Sequence, residues 1–309
     1  MATAALARAG AAHTRDRATR LQALTVLASC ALRLGRLADA RRHFKQALAL
    51  ASADASGHYS AATLDNLALV ERMMGRYDTS LRLSIESLAQ HRRIGDAASV
   101  AQCLNNLACV YLAKGEFGAT AAHLREALEI SERDGLVNTR SLVLTNLTEV
   151  AMKSGDLAAA GAHATIALEL ANATGSRGVV AMLNLQTALL ALRRADLATA
   201  RTALADGVSL AIRLGSATHR AGGLQVFAEL LDAQGESTCA RRVLAFALGH
   251  PSITAADRDE LRGAHARFAV PAQPDSPWPG IELDELLHRI VIEREVAFAP
   301  LIGALQGPG

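Results

Sequence analysis

Gly35, Gly75, Gly115 and Gly155 stand at equal intervals, and after one beat held by Ala195 the series resumes at Gly235. A fixed period of about 20 to 50 residues marks an array of supersecondary units, each too small to bury its own apolar face and each stacked on the next. The residues beside the glycines repeat with them. Two positions on stand Leu37, Tyr77, Phe117, Leu157 and Leu197, and five positions on stand Ala40, Ser80, Thr120, Ala160, Ala200 and Ala240. The pairs Ala47-Leu48, Ser87-Leu88, Ala127-Leu128, Ala167-Leu168, Gly207-Val208 and Ala247-Leu248 follow. On the other side come Leu27-Ala28, Leu67-Ala68, Leu107-Ala108, Leu147-Thr148, Thr187-Ala188 and Phe227-Ala228. Apolar positions in each flank recur at three, four and seven, which is helical spacing. Each unit therefore reads as a first helix, a tight turn and a second helix, with the small residues where helix backbones approach closely.

This pattern resembles the tetratricopeptide repeat, in which a Leu-Ala pair, a turn Gly, an aromatic or Leu and a further Ala-Leu pair hold the same places. The usual period is about 34 residues, so each unit here carries roughly one extra helical turn. The first-helix tryptophan position is Leu (Leu24, Leu64, Leu104, Leu144), and no proline ends the repeats. Unit five departs furthest: Asn184 falls in the core Leu column, and a slip that aligns Asn184-Leu185 with Asn66-Leu67 restores much of the pattern. The resemblance implies an all-α fold, a right-handed α-solenoid of about six hairpins with a C-terminal helical cap.

Segments outside the array divide as follows. Residues 1–19 carry Ala4 and Ala7 one period ahead of the second-helix columns, and read as the second-helix remnant of a partial preceding repeat. Their Ala and Arg content faintly resembles a transit peptide, a weaker reading. Residues 20–250 hold the six repeats, 251–269 a short terminal helix, and 270–280 a linker with Pro271, Pro274, Pro277, Pro279 and Trp278. Residues 281–309 form an amphipathic helix with Ile281, Leu283, Leu286, Leu287, Ile290, Val291 and Val296 on one face over 281–299. Such a helix caps the open end of an array, docks on a partner, or blocks the protein's own groove, with Trp278 as an anchor for whichever contact forms. Residues 249–269 together with the period also resemble the end of the repeat region in large bacterial signal-transduction ATPases and transcription activators. That implies the sensor or interaction part of a regulatory system.

The apolar half of the chain is mostly Ala and Leu, with 3 % aromatic residues; that suits close-packed helices rather than sheet. A net charge of +2 with interleaved signs argues against direct nucleic-acid binding, which wants a basic stripe. No apolar run reaches the ~18 residues that span a bilayer, so no membrane association is expected. Of 32 basic residues only Lys45, Lys114 and Lys153 are lysines, a composition that fits GC-rich coding and hence a bacterium. Cys30, Cys103, Cys109 and Cys239 lack metal or redox spacing. Cys30 and Cys103 read as core residues and Cys109 as a reduced groove residue, consistent with a cytoplasmic location.

No phosphate-binding, dinucleotide, zincin or nucleophile-elbow motif is present, so no enzyme and no cofactor is nominated. His43, His123 and His163 share a second-helix column, but helices packed 8–10 Å apart do not bring their rings to one ion, so no metal is expected. More informative are Asn66, Asn106 and Asn146, continued by Gln186, in one first-helix column. At 100° per residue Asn66 lies about 150° from the edge formed by Leu64, Leu67, Ala68 and Glu71. In the tetratricopeptide family the free face of the first helix lines the concave surface. Resemblance thus places Asp65, Asn66, Leu69, Asn105, Asn106, Cys109, Thr145, Asn146 and Glu149 in a peptide-binding groove. An amide both donates and accepts, which suits a peptide backbone, and equally suits bonds that order the stack. Arg33, Arg72, Lys114, Lys153, Arg193 and Arg194 answer helix dipoles, or form a rim for an acidic partner. The reading is a non-catalytic protein- or peptide-binding scaffold, with a small-molecule sensor as the alternative and an enzyme a distant third.

Overall fold

In a computed structural model of the chain, Gly35, Gly75, Gly115, Gly155 and Gly235 take φ values from +72° to +88°, a left-handed backbone that costs an ordinary side chain about 1–2 kcal/mol. The structure describes residues 2–51, 58–251, 253, 255–267, 281–293 and 298–306, with the backbone alone for 2–16, 58, 255–257, 259, 260 and 267. The described residues form helices and no strand. Six hairpins succeed one another: α1 (Ala2–Arg33) with α2 (Leu37–Ala51), α3 (His58–Met73) with α4 (Tyr77–Ile94), α5 (Ala97–Ala113) with α6 (Phe117–Arg133), α7 (Val137–Lys153) with α8 (Leu157–Ala173), α9 (Arg177–Arg193) with α10 (Leu197–Leu214), and α11 (Ala217–Ala233) with α12 (Ser237–Gly249). The tail adds α13 (Ala255–Arg267), α14 (Leu283–Ile292) and α15 (Ala299–Gln306). This is an all-α solenoid. It divides into two compact units, Met1–His123 and Leu124–Gly309.

A second glycine series closes the second helices. Gly95, Gly135, Gly175 and Gly215 keep the same interval as the first series and also have positive φ. First helices begin at capping side chains such as Asp96, whose carboxylate accepts from Ser99 N at 3.1 Å. Asp156 and Asp196 do the same for second helices, accepting from Ala159 N at 2.9 Å and Thr199 N at 3.0 Å.

Where the small columns hold serine instead of alanine, the hydroxyl reaches the neighbouring helix. Ser80 Oγ donates to the Ala68 carbonyl at 2.7 Å and Ser87 Oγ to that of Ala61 at 2.9 Å. In the first unit, Phe44, Leu64, Leu104 and Leu107 fill the spaces between the backbones and are at most 2 % exposed. Glu71 is fully buried on the same edge and is held by Arg41 Nε of α2 at 2.6 Å and Arg76 at 3.5 Å. A buried carboxylate needs such partners, and this one joins the first hairpin to the second.

Unit five keeps the period without any slip. Helices α5, α7, α9 and α11 begin at 97, 137, 177 and 217. Its irregular residues compensate one another instead. Leu185 stands in the column of Asp65, Asn105 and Thr145, and a Cβ on Gly207 would lie 2.8 Å from its Cδ2. Glycine therefore replaces the alanine or serine of the other repeats at 207. Ala195 adopts the turn geometry of the missing glycine, with φ +57°. Ala195→Gly is expected to raise stability by about 0.5–1 kcal/mol, relief of the left-handed strain being partly offset by the greater freedom of an unfolded glycine. A thermal melt checks this.

Three further expectations are revised. The proposed second-helix remnant in residues 1–19 is continuous with the first helix of repeat one, as α1, because no left-handed turn interrupts its run of strong helix formers. Cys30, read as a core residue, is exposed. The tail read as one helix over 281–299 is two, α14 and α15. Glu293 ends the first, and its carboxylate accepts from Arg289 Nε and Leu301 N, both at 2.6 Å, so it also anchors the start of the second. Residues 270–280, with Trp278, lie outside the described residues.

The tail packs on second helices, α14 along α10 and α15 along α12, with α13 against α11 and α12. Ala205 of α10 is buried there, whereas Lys45, Ile85, Arg125 and Thr165 in the same column are exposed. Leu283, Leu286, Leu287, Ile290, Phe298, Leu301 and Leu305 are at most 5 % exposed. Phe298 meets Phe227 edge to face at 5.1 Å. Arg220 pairs with Asp284 at 3.5 Å, and Arg242 donates to the Leu305 carbonyl.

Candidate functional site

Successive first helices touch one another, α3 with α5 in the first unit, and α7 with α9 and α9 with α11 in the second. A helix held by its own partner, by the preceding second helix and by the next first helix buries more than half its circumference. This decides which predicted groove residues stay open.

Within the first unit, Asn66 and Leu69 of α3 and Asn106 and Cys109 of α5 are half-buried. Asn66 Nδ2 donates to the Ala62 carbonyl of its own helix at 3.0 Å. Among the described residues, Asn106 has no hydrogen-bond partner for its amide. Asp65 and Asn105 turn inward. Asn105 is 6 % exposed. Asp65 Oδ2 lies 3.0 Å from Nε2 of His91, a residue of α4 that is only 3 % exposed, while Asp65 Oδ1 and His91 Nδ1 are buried without partners. Beside them Cys103 Sγ donates to the Ser84 carbonyl at 3.4 Å. Burial, reinforced by the nearby Asp65 carboxylate, pushes this thiol well above the usual range. Such a thiol stays protonated and is a poor nucleophile. The cluster has the elements of a cysteine–histidine–carboxylate set, but its sulfur is sealed in the helix interface.

In the second unit the open positions differ. Thr145 is fully buried and its hydroxyl donates to the Ser141 carbonyl at 2.7 Å. Asn146 is 8 % and Gln186 6 % exposed, and Gln186 Oε1 is buried without a partner. Glu149 remains half-buried and receives Lys153 Nζ at 3.4 Å. Gln225 Nε2 donates to Glu229 Oε1 at 3.3 Å. Sequence reasoning did not place Lys153, Gln225 and Glu229 on this face, although Glu229 and Lys153 stand three and seven residues after the amide column and Gln225 one residue before it. The structure thus brings Asn66, Leu69, Asn106 and Cys109 together on the first-helix layer of one unit and Asn146 with Glu149 on that of the other.

Elsewhere the histidine column supplies packing: the His123 ring stacks on Tyr111 at 5.3 Å. Lys114, expected at a helix end, bridges Asp78 at 2.8 Å, and that carboxylate raises its basicity. Among the described residues, no group of three metal-ligating side chains converges and no helix is long and apolar enough to cross a membrane.

Two family models, both described as tetratricopeptide repeat, match residues 59–133 and 21–54. A search of the curated proteins found no match. Among solved structures, the Rap conjugation gene regulator of the plasmid pLS20, in complex with the Phr* peptide, superposes with a TM-score of 0.68. It is 12 % identical, and the alignment covers 96 % of this chain and 78 % of that one. A Rap protein complexed with competence and sporulation factor gives 0.62 at 12 % identity, covering 91 % of this chain and 76 % of that one. At such identity the likeness is one of fold. The two matches cover the first three hairpins, so the chain carries tetratricopeptide repeats over residues 21–54 and 59–133, within a fold of the α-solenoid class.

Proposed function

We propose that this chain is a non-catalytic scaffold of a bacterial regulatory system that binds a peptide or protein segment on its first-helix layer. The observation that carries the reading is Asn106, an amide without a partner among the described residues, beside Asn66 one repeat earlier and flanked by Leu69 and Cys109. Amides at repeat spacing on a half-apolar surface suit the alternating donors and acceptors of a peptide backbone. Tetratricopeptide repeats in the sequence, and a fold shared with Rap proteins whose structures hold a peptide or a factor, support the same reading.

Replacement by alanine separates recognition from scaffolding. Asn66→Ala and Asn106→Ala are expected to change stability by about 1 kcal/mol or less, and to weaken a peptide selected from a display library roughly two- to tenfold for each hydrogen bond lost. Asn146→Ala, at a buried position, is expected to cost about 1–3 kcal/mol of stability. Thermal melts and titrations of the three variants decide the matter. If Asn106→Ala melts early and the surviving protein binds as before, the ladder orders the stack and the proposal fails.

A further inference from the structure

The first-helix layer of the second unit holds a buried amide with nothing to bond. Gln186 of α9 is covered except for 6 % of its surface and its Oε1 is buried. Neither its oxygen nor its nitrogen has a hydrogen-bond partner among the described residues. Its surroundings explain this. Asn66, one column member earlier in the array, turns back to the Ala62 carbonyl of its own helix at 3.0 Å, a kind of bond that Gln186 does not make. Val226, in the equivalent place of α11, is 2 % exposed and has no polar side-chain atom. Gln225 beside it donates its Nε2 to Glu229 Oε1. Buried amides in folded proteins are nearly always paired, and one left unpaired lowers stability.

Gln186 stands in a stripe that is open on either side of it. Met182, Leu189 and Arg193 share its face of α9 at helical spacing, the first two half-buried and the third exposed. On the adjoining α7 and α11, Leu142, Glu149, Gly222 and Glu229 are half-buried. No hydrogen bond holds the Gln186 amide inward, so turning it outward about its side-chain torsions gives up none. We propose that Gln186 is a ligand-binding residue whose amide pairs with the N–H and C=O of one residue in a segment bound in extended form. An amide offers a donor and an acceptor at once, whereas a carboxylate satisfies only its nitrogen and an ammonium only its oxygen. In extended backbone the N–H and C=O of one residue point to the same side, as in the bonded pairs of a sheet. In a helix both are used by the helix itself. Gln186 thus takes the place of a strand partner, an inference that rests on the reading of the first-helix layer as a recognition surface.

Gln186→Met, close in volume and without an amide, supplies two measurements. In the free protein it is expected to raise the melting temperature by about 2–4 °C, because the unpaired amide is gone. A residue that ordered the stack would lower it. Against a peptide selected on the intact chain from a display library, the variant is expected to bind roughly tenfold more weakly by calorimetric titration, the worth of two modest hydrogen bonds. Exchanging the peptide bonds of that peptide one at a time for esters removes single N–H donors. At one position the exchange is expected to weaken binding to the wild type several-fold and to Gln186→Met no further, the coupling that a direct bond requires. A melting temperature that does not rise overturns the proposal. So does a peptide without a coupled backbone position, or one coupled only through an Asn or Gln side chain. Asn106→Ala reports separately on the wider reading. Affinity lost in Asn106→Ala and kept in Gln186→Met removes this inference alone, and affinity kept in both removes the recognition surface with it.

Discussion

Removal of residues 281–309 is expected to cost about 5 kcal/mol, roughly 10–20 °C in melting temperature for a unit of this size, and to make the remainder self-associate. Seven large apolar side chains, six in α14 and α15 and Phe298 just before α15, are buried at 5 % exposure or less, each representing about 1.5–3 kcal/mol of gross burial. The entropy of ordering the tail offsets much of that sum. What does not recover is the surface left behind. Ala205, Phe227, Val243 and Leu244 are fully buried with the tail in place and lie at or beside the surface it covers, so its removal leaves apolar surface on α10, α11 and α12. Differential scanning calorimetry with light scattering tests this. A truncated chain that melts like the parent and stays monomeric would mean the tail is not structural. A truncated chain that also gained affinity for peptides would point to an inhibitory tail.

Leu107→Ala is expected to cost about 2–5 kcal/mol through lost burial and the cavity left behind, and its neighbour fails in the opposite sense. Leu107 is 2 % and Ala108 0 % exposed, and α5 meets both α4 and α3 there. Ala108→Leu, which overfills the contact, is expected to cost about 1–3 kcal/mol. Chemical denaturation of both variants measures the two values. If either variant matched the parent, the assignment of large and small columns to the helix interfaces would be wrong, and with it the placement of the amide ladder on the opposite side.

Much of the fold was legible because it is periodic. A glycine that must be left-handed, an alanine where backbones touch and a leucine that fills the gap recur at one fixed interval, and each helix contacts only near neighbours, so local pattern carries nearly all the topology. The second glycine series is equally visible in the sequence. The candidate site was less legible. Helical phase alone placed Asp65, Asn105 and Thr145 beside the ladder on an open face, yet all three turn toward neighbouring helices, because a helix packed on three sides buries its flanks as well as its centre.

The sequence by itself determined the hairpins, their number, their turns and the identity of the columns, since these follow from backbone sterics and helical spacing. Tertiary packing alone decided how open each column is. Asn106 stays accessible while Asn146 and Gln186, in the same column, are covered. The edge that is sealed at Leu67 and Leu107 is open at Leu27. Leu185 is accommodated because Gly207 stands opposite, where a Cβ would lie 2.8 Å from its Cδ2. The physical reason is common to all three. Burial is a property of the neighbour, and a residue's own column does not say what the helix beside it presents.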